Sequence, residues 1–464
     1  MENTTIEFNE VDYIVPTETF KIEFSYLSKQ GFPFVKEFLL KALYISPLSK
    51  FELSSFFGFN LRELAAAIEE PISKGEIAYS DEGKLFLTPL AKGYFSSLDD
   101  KPMVETPQTK SASVSFELAG FNKVKNQHQN WHSGLRLKVN HEIQSLSEQH
   151  ARAMFTEHFQ QLVQNDELGG FKTHDNSLPS LYSVDKVTSK KTIAHRIKRR
   201  FEIDLDNQVK PLDLRQEYVN DEAVAQEILN ETDNFRLSNN LNSITSAWDA
   251  FEDMSISRFV HDASIDFRGL LAEMVAGSYD KPYELLLGPL YSRQPLSVIE
   301  NHLKQLKPLK KAQKAKELSW YGANTRYWGM SDGFNTAKVT LINYSNKGKS
   351  KNYDFKLYLP CDEHPNIESH AGRAWKHKLG NLEFCEGVRN GLFDGCVEVL
   401  VLEGEFAAVS YHLAMPDISP VHIPLGFFTT DKKLIANIVS VVNEFLSDSV
   451  SHDKPNLIGK LQTK

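Results

Sequence analysis

Apolar and polar positions first fall into a regular pattern between Gly31 and Phe95. In GFPFVKEFLLKALY, a helix over 34–44 places Phe34, Phe38 and Leu39 on one face. KFELSSFF predicts a second, shorter helix over about 50–57, stopped by Gly58. Asn60 stands where a third helix needs a cap, and Leu64, Ile68 and Ile72 then recur at helical spacing. After Gly75 the period shortens to two, with Glu76–Tyr79, a Ser80–Gly83 turn and Lys84–Thr88 reading as a hairpin.

Outside that stretch the pattern divides the chain into a multidomain α+β protein. Residues 1–98 form a first domain, in which residues 1–20 read as an arm that adds an extended segment. Residues 99–113 are polar and proline-containing and read as a linker, with Val114–Leu118 as a short strand after it. Residues 114–280 carry amphipathic helical spacing, as in HEIQSLSEQHARAMFTEHFQQLVQ, and predict a mainly helical middle region. Residues 281–464 turn mixed α/β. Strands are expected at Leu285–Tyr291, Lys338–Asn343, Phe355–Leu359, Val397–Leu402, Phe406–Ser410 and His422–Thr429. Helices are expected at Leu296–Leu306 and Asp431–Leu446.

Three helices followed by a hairpin resemble the winged helix-turn-helix family, over about a sixth of the chain. The resemblance implies DNA reading by the third helix, but charge points elsewhere. From Arg62 to Lys84 the bases are Arg62, Lys74 and Lys84, against Glu63, Glu69, Glu70, Glu76, Asp81 and Glu82. A helix entering a groove needs cations near phosphates and base edges. Pro71 near the end of this helix also departs from the family pattern. The preferred reading is therefore a winged helix used for protein contacts.

Composition narrows the class. The 464 residues are 41% hydrophobic and 24% charged, enough for several packed cores. A net charge of −9 argues against a protein that coats nucleic acid, while leaving room for a local basic site. Three cysteines make no disulfide framework, and a cytoplasmic location is expected. No apolar run approaches the length of a membrane span, so no membrane partner is expected.

Two basic runs supply the nucleic-acid candidates. Lys186–Arg200 holds seven lysines and arginines and no acid, with Lys190, Lys191, Arg196, Lys198, Arg199 and Arg200 as the expected phosphate contacts. It reads as a solvated helix face or loop. The second run contains Lys304, Lys307, Lys310, Lys311, Lys314 and Lys316. Trp320-Tyr321 and Arg326-Tyr327-Trp328 follow it. Lys310, Lys311, Lys314, Trp320 and Arg326 are the candidates there, since cations beside aromatics can hold phosphate and stack on unpaired bases. Packing of those aromatics into a core is the competing reading.

Catalytic chemistry is harder to find. CVEVLVLEGEFAAVSYHLAMP and HIPLGFFTTDKKLIANIVSVVNEF are similar to the end of a phospholipase D-like domain, over about an eighth of the chain. That family carries H-x-K-x4-D on a strand, and those positions fall here at Cys396, Glu398 and Glu403. Its later Gly, Ser and Asn positions fall at Ser410, Tyr411 and Leu413. The resemblance thus implies a degenerate, non-catalytic scaffold, since no histidine remains to form a phospho-enzyme. Cys361, His364, His370, His377, Cys385 and Cys396 match no compact zinc spacing, and neither metal nor other cofactor is expected.

The expected function is a non-catalytic, nucleic-acid-associated adaptor that recruits protein subunits of a complex. By analogy of module types, the setting is nucleic-acid processing or prokaryotic defence against phage or plasmids. Two alternatives stay open. One is a metal-dependent nuclease using Asp332, Asp354 and Lys356, which requires the two carboxylates to converge. The other is a winged-helix transcription regulator.

Overall fold

The structure, a computed structural model, describes residues 5–97, 101–125, 129–171, 178–205, 209–211, 222–233, 237–261, 264–277, 281–306, 315–345, 353–448 and 455–462. Helices and sheets both contribute, so the chain is α+β. It forms two compact units: a large one of residues 1–17, 117–140 and 193–464, and a small one of residues 18–116 and 141–192. Two of the boundaries, 17/18 and 192/193, fall inside long strands, β1 (Thr5–Gly31) and β7 (Ser180–Asp204).

The expected arm is part of β1. Phe8, Val11, Tyr13, Ile14 and Val15 are buried there, because leaving so many large apolar groups in water would cost free energy. Then come α1 (Phe34–Ile45), α2 (Lys50–Phe57) and α3 (Leu61–Ser73). The antiparallel pair β2 (Ile77–Tyr79) and β3 (Leu85–Leu87) follows, with one turn of α4 (Pro89–Lys92). Local chemistry sets these ends. Ser49 with Glu52, and Asn60 with Glu63, form capping boxes, and Gly58 stops α2 at φ +69°. The core holds Leu39, Leu40, Leu43, Leu53, Leu64 and Ile68. Phe34 and Phe38 are exposed, contrary to the single face expected with Leu39.

Residues 99–113 are not a linker where the structure describes them. β4 (Met103–Glu117) occupies this polar stretch, and its last residues, Val114 to Glu117, are buried. The polar side chains before them alternate with the strand's period, leaving backbone groups free to pair in a sheet. β5 (Lys123–Val124), β6 (Leu135–Arg136), α5 (His141–Ser145) and α6 (Ser147–Gln164) lead to β7. In the small unit, Phe155 and Phe159 of α6 pack on Phe24 of β1, with ring centroids 5.0 and 5.7 Å away.

The middle region is therefore not mainly helical: β7 carries the first basic run as a 25-residue strand. Ile193, His195, Ile197, Arg199, Phe201 and Ile203 are all buried, a period of two that the density of charge obscures. β8 (Val209–Pro211), α7 (Glu222–Asp233), α8 (Leu241–Phe251), β9 (Val260–His261), β10 (Ser264–Ile265) and α9 (Phe267–Ala276) complete it. Among the described residues, β5, β4, β1, β7 and β8 lie side by side, with β6 parallel to β1.

The C-terminal part is a mixed sheet with helices between its strands. In order along the chain it contains β11 (Tyr283–Leu287), α10 (Arg293–Gln305), β12 (Lys316–Tyr321), α11 (Asp332–Ser345), β13 (Tyr353–Cys361) and α12 (Ile367–Leu379). β14 (Cys385–Arg389), β15 (Val397–Leu402), β16 (Phe406–Leu413), β17 (Ile423–Thr429), α13 (Lys432–Ser447) and β18 (Leu457–Lys460) finish the chain. Strand order is β11-β17-β16-β15-β12-β13-β14-β18. β12, β13 and β14 are parallel, joined through α11 and α12 as parallel neighbours require. Every residue of β15, β16 and β17 is buried, as expected of strands covered on both faces. A Cβ on Gly426 would sit 1.9 Å from the Val409 carbonyl oxygen, so only glycine fits the β16–β17 crossing.

One expected strand is a helix. Lys338–Asn343 lies in α11, where β-branched residues mimic alternation but Phe334, Ala337 and Leu341 form the buried stripe.

Candidate functional site

The basic run of β7 is divided by the strand's own geometry. Lys190 and Lys191 are exposed in the small unit. In the large unit Lys198 and Arg200 are exposed, while Arg199 between them points into the core. Arg199 donates to Thr232 Oγ1 at 3.3 Å and lies over the Phe201 ring at 5.0 Å. Arg196 is likewise not free for phosphate. Its guanidinium meets Asp12 Oδ2 at 2.6 Å and donates to the carbonyls of Asn130, His132 and Ser133. Both arginines were expected on a solvated face; strand alternation turns Arg199 into the core, whereas Arg196, on the same face as Lys198, is covered by Asp12 and the 130–133 segment.

The second basic run fares similarly. Lys310, Lys311 and Lys314, with Lys307, lie outside the described residues. Trp320 is 1% exposed, so no base can reach it, and Tyr327 and Trp328 are buried with it. Arg326 is paired with Glu231. The aromatics that follow this run belong to the core because they sit on, or just after, a central strand of the sheet.

What organises the centre of the large unit is Glu398, fully buried on β15. Its Oε1 accepts from Trp320 Nε1 at 2.8 Å, and its Oε2 accepts from the Leu290 backbone N–H at 3.1 Å. His412 Nε2 lies 3.1 Å from the same Oε2. Opposite Glu398, Ser410 donates to the Gly288 carbonyl at 3.2 Å. Two residues aligned with the phosphodiesterase motif thus hold the 288–292 turn. A single acid inside the apolar run CVEVLVL is the signal for such a paired, buried charge. Close by, His422 is pushed down to about 3 by burial and then by His412, so it stays neutral.

The turn that Glu398 anchors opens on a cavity of about 470 Å³. It lies beyond the carboxyl end of β11, where open α/β sheets commonly bind ligands. Ser292, Arg293 and Glu300 line it from α10 and its cap, and Ser331 and Asp332 from the start of α11. β1 supplies Glu7 and Glu10, and β7 supplies Lys198 and Arg200. The charges are loosely paired, with Lys198 3.9 Å from Asp332 and Arg200 3.8 and 3.5 Å from Glu7 and Glu10. Beneath them, buried Asp12 accepts from the Asp332 backbone N–H at 2.8 Å as well as from Arg196. Burial raises the Asp12 carboxyl to about 6, against the opposing pull of Arg196.

The nuclease candidates do not converge. Asp332 opens α11, and Asp354 begins the strand after that helix, so a helix of about 20 Å separates them. Lys356 is held between Glu317 at 3.1 Å and Glu386 at 2.9 Å. Cys361, Cys385 and Cys396 are free and buried, and burial pushes each thiol up to about 12, away from the thiolate a metal or nucleophile needs. His364 and His370 stack on each other 4.2 Å apart, and no metal-ligating cluster occurs among the described residues. No helix among them is long and apolar enough to cross a membrane.

No family model, curated protein or solved structure matches the chain.

Proposed function

We propose that this chain is a non-catalytic recruitment subunit, in which the α1–β3 module of the small unit works as a winged-helix-type docking element for a protein. The observation that carries this reading is the second apolar face of α1. Phe34, Val35, Phe38 and Ile45 are exposed while Leu39, Leu40 and Leu43 fill the core. Phe51 and Phe56 on α2 and Leu61 on α3 are exposed too. Large apolar groups displayed in one small module mark an interaction surface. The partner that fits is a protein with an apolar patch and basic neighbours, because α3 exposes Glu63, Glu69 and Glu70. Of the cations expected to contact phosphate, Lys190 on β7 is exposed in the small unit and is the one we assign to nucleic acid there, and nucleic-acid processing or prokaryotic defence remains the setting implied by analogy.

Affinity purification of the intact protein, compared with a Phe34→Ser/Phe38→Ser variant, tests the reading. A protein recovered with wild type should be lost with the variant, and should rebind purified wild type but not the variant. Equal recovery by both, or recovery of DNA abolished by Arg62→Ala alone, would return the module to groove reading.

A further inference from the structure

We infer that the cavity between β11, α10, α11 and the charged edge of β7 in the large unit binds a phosphomonoester. This goes beyond the recruitment reading and stands on different residues. The first support is the start of α10, a 13-residue helix. Its N-cap, Ser292, has the extended backbone of a capping serine, yet its hydroxyl makes no cap hydrogen bond. The Oγ is buried without a partner among the described residues. The first-turn N–H groups of Arg293 and Gln294 precede the first intrahelical bond, from Leu296 N–H to the Ser292 carbonyl. Such an end carries partial positive charge and attracts phosphate. Gln294 fixes it in place, accepting from the Leu287 N–H and donating to the Leu285 carbonyl, each at 3.2 Å.

The second support is independent of that helix. Ser331, on the loop before α11, lines the same cavity and is only 1% exposed, and its hydroxyl has no hydrogen-bond partner among the described residues. With no protein partner, this hydroxyl on the cavity wall is left to hydrogen-bond whatever occupies the cavity. Lys198, Arg200 and Arg293 add three cations from separate elements.

The acids set the class of ligand. Glu7, Glu10, Glu300 and Asp332 line the cavity as well, and they would repel a phosphate chain laid across it. They accept hydrogen bonds from hydroxyl or amino groups, so one terminal phosphate carried on a donor-rich body satisfies both halves. The volume suits a mononucleotide. The same chemistry occurs in a free nucleotide and at the 5′-phosphorylated end of a strand.

Isothermal titration calorimetry on the full chain would use adenosine 5′-monophosphate, adenosine, and one short oligonucleotide with either a 5′-phosphate or a 5′-hydroxyl. The phosphorylated probe of at least one pair should bind and its unphosphorylated counterpart should not, and which pair responds identifies the source. Lys198→Ala and Arg293→Ala, both at exposed positions, should each weaken binding about tenfold, the loss expected for one hydrogen bond to a charged group. Ser331→Ala should weaken it by a smaller factor, with circular dichroism unchanged. Inorganic phosphate should displace the bound probe from wild-type protein, a readout that needs no variant. Equal binding of phosphorylated and unphosphorylated probes, no binding by either phosphorylated probe, failure of phosphate to compete, or full affinity in a Lys198→Ala/Arg293→Ala variant would each overturn the assignment.

Discussion

In the large unit, β15, β16 and β17 hide every residue they contain. In the small unit, α1 buries one apolar stripe and displays another, with Phe34 73% exposed. Both segments are rich in large apolar residues, so composition does not separate them. The difference lies in what the surroundings cover. A central strand receives neighbours at both edges and helices on its faces, whereas a helix of a small module has only one side to bury. Apolar residues in the sheet therefore report on stability, and those on the outer face of α1 are available for contact.

The sharpest test of that contrast lies at the sheet's one buried acid. Glu398→Leu removes the acceptor for Trp320 Nε1 and for the Leu290 N–H, and leaves His412 without its partner. Breaking a buried charged network by deleting one member costs about 3–5 kcal/mol. Urea denaturation should show a loss of that size in the large unit. A loss near the small values typical of surface changes would mean that Glu398 does not anchor the 288–292 turn.

A smaller effect is expected at Asp12, and its sign follows from burial. The folded carboxyl titrates at about 6, above the ordinary 3.8, so between those values the folded chain holds a proton that the unfolded chain has released. Stability from this group is present below the ordinary value and is lost as pH rises through the folded one. The loss amounts to about 3 kcal/mol. Measured from pH 4 to 7, wild type should lose stability relative to Asp12→Asn by that order. Wild type gaining on the variant instead would show that the Arg196 ion pair outweighs desolvation.

How much of this was legible in the sequence depended on whether a residue's own neighbours along the chain decide its state. The caps at Ser49 and Asn60, the stop at Gly58 and the β2–β3 turn are local, and Asn60, Gly58 and the hairpin were readable. β1, β4 and β7 were misread because their pairing joins residues far apart in sequence. In β7 the alternation of Ile193, Ile197, Phe201 and Ile203 was present, but the arginines between them dominated the reading. The cavity was the least legible. It gathers Glu7, Lys198, Arg293 and Ser331 from four separate stretches, and no spacing along the chain announces that meeting.

The smallest expected effect is at the outer face of α1, where the contrast is most exposed to failure. Phe34 and Phe38 touch each other, with ring centroids 4.5 Å apart, and Lys41 lies 5.6 Å from the Phe38 ring centre. Neither ring belongs to the module's buried core. Replacing them by serine removes one aromatic contact and one exposed cation–π contact, while small gains in solvation oppose the loss. Surface substitutions of this kind usually change stability by less than about 0.5 kcal/mol. Leu40→Ala, on the same helix but buried, should cost about 2–5 kcal/mol by leaving a cavity. Thermal unfolding of Phe34→Ser, Phe38→Ser and Leu40→Ala would place the three on one scale. If the phenylalanine variants lose as much as Leu40→Ala, the rings are part of the fold's own packing and the outer face of α1 is not a docking surface.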